Sequence, residues 1–191
     1  MPTTNTIRRN RCFLLANKIG GRKEYESVRK ATEEGTLVRV KQGVYASMES
    51  LANTMIDIEK IVPDGVLCLY SAWAYYNLTT QIPSAYCIAI EAKRKVVVPV
   101  FPTINLYYWK ADYLSLGVDK RKISGYRVKI TDLERSVCDA IKYRNKIGLD
   151  VCSEILREYM KRPDRNVPRL CDYARQLRVY NILSKYLEIM I

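Results

Sequence analysis

Histidine is absent from the 191 residues of the chain. Its imidazole is the most common general base near neutral pH and the most common metal ligand, so every Ser-His or Cys-His nucleophilic pair is excluded. The sequence also lacks a phosphate-binding glycine loop and a Gly-Ser followed by Asp-x-Asp, which excludes P-loop and nucleotidyltransferase chemistry. We therefore predict no catalytic residue, no metal site and no cofactor, and we do not expect an enzyme.

Long apolar runs are absent as well. No stretch approaches the roughly 18 consecutive residues that a membrane-spanning helix needs. The first residues, 1–12, carry charge with no apolar signal core behind them. We expect a cytoplasmic protein that does not bind membranes.

The cysteines are few and widely spaced, with no two of the six closer than 14 positions. This spacing fits neither a CxxC metal clip nor the compact disulfide framework of a small secreted domain. Most of them lie in apolar runs, so we predict buried free thiols. The six are Cys12, Cys68, Cys87, Cys138, Cys152 and Cys171.

Positive charge is in excess, with 32 basic against 20 acidic residues and a net charge of +12. The net charge is +5 over residues 1–50, −2 over 51–90, +6 over 91–145 and +3 over 146–191. Two basic regions are thus separated by a slightly acidic one, which favours contact with a polyanion. For the middle and the end of the chain, charge that serves only solubility is the alternative.

The sequence periodicity changes twice between residues 20 and 46. Helix-forming residues dominate from Arg22 to Glu34, and Gly35 supplies a left-handed stop. Two β-prone runs follow on either side of residues 41–43, which predicts a hairpin with a basic tip. Helix, glycine and hairpin in this order predict a winged helix, for which the apolar residues between Ile7 and Ile19 can supply one packing helix.

The predicted recognition helix presents a polar face. Lys23, Ser27 and Lys30 are spaced at i, i+4 and i+7, so they share the side that can reach base edges or phosphates in the major groove. Arg22 lies beside them. Four glutamates in the same segment argue the other way, because carboxylates repel phosphate, and a solvated surface helix is the alternative. The remaining candidate DNA contacts are the wing residues Arg39, Lys41 and Gln42 and an N-terminal arm of Arg8, Arg9 and Arg11.

The rest of the chain predicts a mixed sheet with a C-terminal layer of helices. Thr131-Asp132-Leu133-Glu134 is a capping box that begins a helix, with Thr131 and Glu134 as the reciprocal partners. Two or three further helices are expected around residues 152–159, 170–177 and 182–186. Before them, the pattern predicts helices at Ser47–Val62 and Ser71–Leu78 and strands at Tyr86–Ile90, Val96–Val100, Ile104–Trp109 and Tyr126–Ile130.

These patterns together predict an α+β protein. Its predicted parts are an N-terminal winged-helix DNA-binding domain at residues 1–47, a connecting helix at 48–62 and an α+β domain at 63–191. The second domain is expected to combine a mixed sheet with the C-terminal helices.

Three blocks of the sequence resemble AbiEi-type antitoxins, the transcriptional-regulator half of abortive-infection (type IV) toxin–antitoxin systems. The blocks are Gly35–Tyr45, Ser71–Pro83 with its Ser-Ala-Trp-Ala and Tyr-Asn-Leu motifs, and Val128–Asp139 with Thr-Asp-Leu-Glu-Arg-Ser-Val-Cys-Asp. The resemblance implies a repressor that binds double-stranded operator DNA of its own phage-defence operon. It also implies a nucleotidyltransferase-like toxin as functional partner, without a stable complex between the two. We expect a monomer or a weak dimer.

Two other functions fit parts of the sequence. Asp64, Glu91 and Lys93 match the residue types of the PD-(D/E)xK nucleases, in which two carboxylates hold a divalent metal. Lys93 and its basic neighbours read equally well as a charged turn between strands. The 15 tyrosines, with clusters at 75–76 and 107–108, are also compatible with a protein-interaction module or with stacking on unpaired bases, although such residues more often belong to a sheet core.

Overall fold

The computed structural model describes residues 13–15, 22–41, 44–47, 58–99 and 102–190. These residues divide into two compact units. One is drawn from Met1–Pro63, Lys95–Ile104 and Lys122–Val128, and the other from Asp64–Arg94, Asn105–Arg121 and Lys129–Ile191. No helix within the described ranges has the length and apolar character needed to cross a bilayer. The predicted domain boundaries stay a prediction.

The first unit contains a helix beside a small antiparallel sheet. Strand β1 is Phe13–Leu15, helix α1 is Arg22–Glu33, β2 is Leu37–Lys41 and β3 is Val44–Ser47. The sheet order is β1-β3-β2, so β3 is central and pairs antiparallel with both neighbours. The predicted helix and hairpin are therefore present, with the hairpin joined by a third strand.

Helix α1 ends in a Schellman motif. The amide of Thr36 donates to the carbonyl of Ala31, and the amide of Gly35 donates to that of Thr32. Gly35 has φ +72°, the left-handed conformation that glycine adopts without strain. The chain thus turns sharply into β2, which confirms the predicted stop.

The segment before α1 does not match the prediction in its described part. Phe13-Leu14-Leu15 forms β1 and not part of a packing helix. A run of three apolar residues fits a strand as well as a helix, and pairing with the edge of β3 decides between them. The rest of that predicted helix lies outside the described residues. Of the predicted connecting helix, only Ile58–Ile61, named α2, is described.

The second sheet of the structure is mixed and has five strands. Its strands are β4 (Val66–Leu67), β5 (Tyr86–Glu91), β6 (Ile104–Trp109), β7 (Val118–Ile123) and β8 (Tyr126–Thr131), in the order β6-β5-β4-β8-β7. Strand β4 pairs antiparallel with β5 and parallel with β8, so the sheet is mixed as predicted.

The second unit contains six described helices. They are α3 (Leu69–Tyr75), α4 (Ala111–Ser115), α5 (Leu133–Ile147), α6 (Leu149–Lys161), α7 (Val167–Gln176) and α8 (Tyr180–Met190). Of these, α3 and α4 pack against β5. The core between the helices contains Trp73, Trp109, Val137, Ile155 and Leu183, all buried. The C-terminal helices thus form the layer that the 3.6-residue periodicity predicted.

The structure corrects five details of the predicted elements. The predicted strand at 96–100 is absent from its described residues, 96–99. Two elements that were not predicted are present: the helix Ala111–Ser115 and the strand Val118–Ile123. Helix α3 begins two residues earlier than expected, at Leu69. Helix α5 starts as expected, but its N-cap is Asp132 and not Thr131, because the Asp132 carboxylate accepts the amide of Arg135 at 2.8 Å.

The predicted buried thiols are confirmed for Cys68, Cys87, Cys138 and Cys152, while Cys171 is half-buried and Cys12 lies outside the described residues.

Candidate nucleic-acid interface

The exposed side of α1 carries three described basic side chains. Arg22, Arg29 and Lys30 have side chains that are 93%, 73% and 77% exposed. The opposite side is anchored by Val28, which is buried together with Leu37 of β2, with Ala31 and Tyr45 packed against the pair. The amphipathic pattern thus fixes which side of the helix solvent or a ligand can reach.

Each of these basic groups has a carboxylate one turn along the helix. Arg22 pairs with Glu26 at 3.3 Å, Arg29 with Glu33 at 3.2 Å and Lys30 with Glu34 at 3.8 Å. Exposed i,i+4 pairs contribute less than about 0.5 kcal/mol each. The pairs can therefore open at low cost when a stronger anion such as phosphate approaches, but the carboxylates reduce the local positive potential.

The predicted groove face is only partly formed. Lys30 is exposed, as the prediction requires, but Ser27 is half-buried and takes part in another interaction. The position of the Lys23 side chain is outside what the structure describes. Arg29 and Tyr25 are also exposed on α1, but they are not among the residues that the i, i+4, i+7 spacing from Lys23 selects. Both could have been found by counting from Arg22 instead.

The hairpin next to α1 adds one described basic side chain, that of Arg39. Arg39 of β2 is exposed and lies opposite Tyr45 of β3, and the pairing shifts register between Arg39 and Lys41. Such an irregularity increases the local twist of a hairpin next to its tip. Lys41 ends β2, but the position of its side chain is outside what the structure describes. The other candidate contacts, Gln42 and the arm residues Arg8, Arg9 and Arg11, lie outside the described residues.

A buried polar cluster marks the start of α5 and coincides with the third block of the resemblance. Arg135 is fully buried and its Nε donates to Asp139 Oδ1 at 3.0 Å. Its Nη1 donates to the carbonyls of Tyr113 at 2.8 Å and Leu116 at 3.0 Å, and the guanidinium lies over the Trp109 ring at 4.7 Å. The arginine thereby joins α5 to the turn that follows α4.

The acidic members of the cluster hold neighbouring helices. Asp132 Oδ2 accepts the hydroxyl of Tyr173, and Glu134 Oε1 accepts both the Tyr159 hydroxyl at 3.3 Å and the Asn166 amide at 3.0 Å. Glu134 is therefore bonded to α6 and to the start of α7, and not back to the cap as the predicted capping box required.

Burial governs the protonation of these groups. It raises the pKa of Asp139 to about 6, against the opposing effect of Arg135. It also raises the pKa of Asp132, although the Arg135 amide and the Tyr173 hydroxyl act in the opposite direction. Asp139 Oδ2 is buried and accepts no hydrogen bond from the part of the chain that the structure describes. The cluster is closed to solvent and its bonds are internal, so its geometry serves packing.

The two later blocks of the resemblance meet in this core. Trp73 of α3 is fully buried, and its Nε1 donates to the carbonyl of Ser136 in α5 at 2.8 Å. The hydroxyls of Ser136 and Thr131 lie 2.8 Å apart. Trp73, Ser136 and Thr131, which belong to these two blocks, thus hold α3 and α5 together in the core.

The residues of the nuclease alternative occupy ordinary structural positions. Asp64 is exposed and forms an ion pair with Lys129, which lowers the pKa of the carboxyl. Lys93 has φ +77°, and Arg94 closes a turn by donating to the carbonyl of Glu91. Within the described ranges, no group of three or more cysteines and carboxylates is arranged to hold a metal ion. The charged-turn interpretation describes this segment.

The fold and this surface define the chain as an α+β protein in which a helix with exposed basic residues is followed by a hairpin. No protein-family model and no curated protein matches the sequence.

Proposed function

We propose that the chain is a double-stranded-DNA-binding repressor, with α1 in the major groove and the β2–β3 hairpin as a wing along the backbone. The observation that carries the proposal is the tight Schellman turn at Gly35, which joins a helix with exposed Arg22, Arg29 and Lys30 directly to a hairpin with exposed Arg39. A helix and an adjacent hairpin of this kind have the dimensions to contact a groove and its flanking phosphates.

The resemblance to AbiEi-type antitoxins makes the proposal more specific. The DNA would be the operator of the chain's own operon, and the functional partner would be a nucleotidyltransferase-like toxin that forms no stable complex with it. The fold of the second unit supports this assignment only in that the Trp73 and Arg135 blocks pack as one core. Co-expression with a neighbouring toxin gene tests the antitoxin role directly, because the chain should restore growth.

The first binding test compares two pairs of lysines. Lys23→Ala with Lys30→Ala should weaken binding to a labelled duplex from upstream of the gene by on the order of several kcal/mol. The matched control, Lys120→Ala with Lys122→Ala, removes the same charge from exposed positions of β7. Fluorescence anisotropy measures both. Equal losses for the two pairs would show that α1 is not the binding surface.

A second test uses the ion pairs of α1. Glu33→Gln with Glu34→Gln removes the carboxylates that face Arg29 and Lys30 while keeping side-chain size. If α1 faces phosphates, this double variant should bind the duplex several-fold more tightly, because like-charge repulsion is lost. Glu158→Gln with Asp172→Asn, which opens two exposed pairs on other helices, is the control. An unchanged affinity in the α1 variant would contradict the placement of the helix.

A further inference from the structure

A pocket of about 220 Å³ opens beside β6 in the second unit. Its wall is formed by the first turn of α3, the loop before β5, and the strands β5 and β6. The residues that give it chemical character are Tyr70, Gln81, Ser84, Cys87, Asn105 and Tyr107.

The alternation of β6 explains why the pocket forms there. Asn105, Tyr107 and Trp109 lie on the same side of the strand because their spacing is two residues. Their burial increases along the strand: Asn105 is exposed, Tyr107 is half-buried and Trp109 is buried. The helical layer thus covers the Trp109 end, where Tyr143 accepts the indole N–H at 2.9 Å, and leaves the Asn105 end open.

The loop before β5, which forms another part of the pocket wall, is held in place by α6. Glu154 accepts the hydroxyl of Thr79 at 3.1 Å and both the amide and the hydroxyl of Thr80, at 2.8 and 2.9 Å. These bonds lower the pKa of the Glu154 carboxyl, so it stays ionised at neutral pH. The loop that carries Gln81 and Ser84 is therefore anchored at its first residues, Thr79 and Thr80.

Among the described residues, no charged side chain lines this pocket. Burial raises the pKa of Cys87, Tyr70 and Tyr107, so the thiol and both phenols are neutral at pH 7. The charged groups that act on this region from α6, Asp150 and Glu154, are acidic. Phosphate is therefore not the group that the pocket selects.

What the wall offers is aromatic surface together with neutral hydrogen-bonding groups. Tyr70 and Tyr107 supply rings for stacking, while the carboxamides of Gln81 and Asn105 each donate and accept. A planar neutral ligand with alternating donors and acceptors at its edge complements both features. The volume is below the roughly 300–1,000 Å³ of pockets for drug-sized ligands, so one ring system is the appropriate size.

We propose that this pocket binds a single nucleobase, through stacking on the tyrosines and hydrogen bonds to Gln81 and Asn105. The base comes either from a free nucleoside or from an unpaired nucleotide of a strand. The pocket lies in the second unit, whereas the duplex surface proposed for α1 lies in the first.

The test adds adenosine, guanosine, cytidine or uridine, and separately a mixed-sequence single-stranded oligonucleotide, to the full chain labelled with ¹⁵N. The side-chain amide signals of Gln81 and Asn105 should shift in a saturable manner. Saturation by nucleosides identifies a free ligand, whereas saturation by the oligonucleotide alone identifies a strand. Duplex binding by α1 is measured in parallel, so failure of one proposal is distinguishable from failure of the other.

Variants identify the pocket as the place of binding. Asn105→Ala should weaken binding by about 2- to 10-fold, the effect of one hydrogen bond. Tyr70→Leu should weaken it by roughly 5- to 100-fold, as expected for one lost stacking partner, with folding checked by circular dichroism. Asn145→Ala, an exposed amide on α5, should leave affinity unchanged. The absence of saturable shifts with every probe, or an equal loss in Asn145→Ala, would overturn the proposal.

Discussion

The buried carboxyl of Asp139 gives a quantitative prediction about stability. Its Oδ1 accepts from Arg135 Nε at 3.0 Å, and neither side chain has appreciable exposure. Burial raises its pKa from the ordinary 3.8 to about 6 in the folded chain. Asp139→Asn keeps an oxygen acceptor for the guanidinium while removing the titratable group, so it isolates the effect of the charge.

The sign follows from proton linkage. Between about pH 4 and pH 6 the folded chain binds a proton at Asp139 that the unfolded chain has released, so stability falls as the pH rises through this window. One pKa unit corresponds to about 1.4 kcal/mol, and a shift of about two units gives about 3 kcal/mol. The free energy of unfolding of the wild type, minus that of Asp139→Asn, should therefore decrease by about 2–3 kcal/mol from pH 4 to pH 7, because part of the full change already occurs below pH 4.

Urea denaturation followed by circular dichroism measures this difference at a series of pH values. Taking the difference between the two proteins removes the contributions of Asp64 and Glu154, whose pKa values are lowered by groups other than Asp139. Asp172→Asn, which opens an exposed ion pair with Arg175, should give a difference close to zero at every pH. A difference for Asp139→Asn that is constant or rises with pH would refute the reasoning.

Two further predictions concern backbone and core. Gly117→Ala should destabilise the protein by several kcal/mol more than Gly35→Ala. Both glycines have positive φ, so an alanine at either position costs about 1–2 kcal/mol of backbone strain. Only at Gly117 would the new Cβ also lie 2.7 Å from Arg135 Cβ, whereas Gly35 has open space around it. Similar losses of stability for the two variants in thermal or urea denaturation would contradict this prediction. Trp73→Phe should lower the free energy of unfolding by about 1–3 kcal/mol, because the buried Ser136 carbonyl loses the indole N–H that donates to it. If the loss is smaller than the error of urea denaturation, this hydrogen bond does not contribute to stability.

Sequence periodicity was sufficient where an element buries one face. Helix α5 and the helices after it follow the apolar spacing of residues such as Val137, Ile141 and Ile155, which are buried in the core. Strands β5 and β6 are bounded within one residue of their predicted ends. In these segments burial and local propensity favour the same structure, so the pattern is unambiguous.

The pattern failed where burial is weak or contacts are distant. Strand β7, Val118–Ile123, has charged residues at its centre, and it lies at the edge of the sheet, where charge is tolerated and the apolar signal is lost. Residues 96–99 have high β propensity but form no strand. Local propensity alone does not provide a neighbouring strand to pair with, because strand pairing depends on residues distant in the sequence. The Asp132 cap and the bonds of Glu134 to Tyr159 and Asn166 depend on helices far along the sequence.

For the candidate interface, sequence predicted the helix, the turn and the hairpin but not the state of the side chains. The i,i+4 spacing of Arg22 with Glu26 and of Lys30 with Glu34 is visible in the sequence, yet the pairs are established only by the distances. The half-burial of Ser27 depends on how α1 packs on β2. Exposed Arg29 is accordingly a better candidate contact than Ser27.

The salt dependence of duplex binding tests the DNA-binding proposal most directly. If five or six basic groups of α1 and the hairpin meet phosphates, the logarithm of the association constant should fall with the logarithm of the salt concentration at a slope of about −5. Removing Lys23 and Lys30 should reduce the magnitude of that slope by about 2. A flat salt response, or a slope that changes only when Lys120 and Lys122 are removed, would contradict the account.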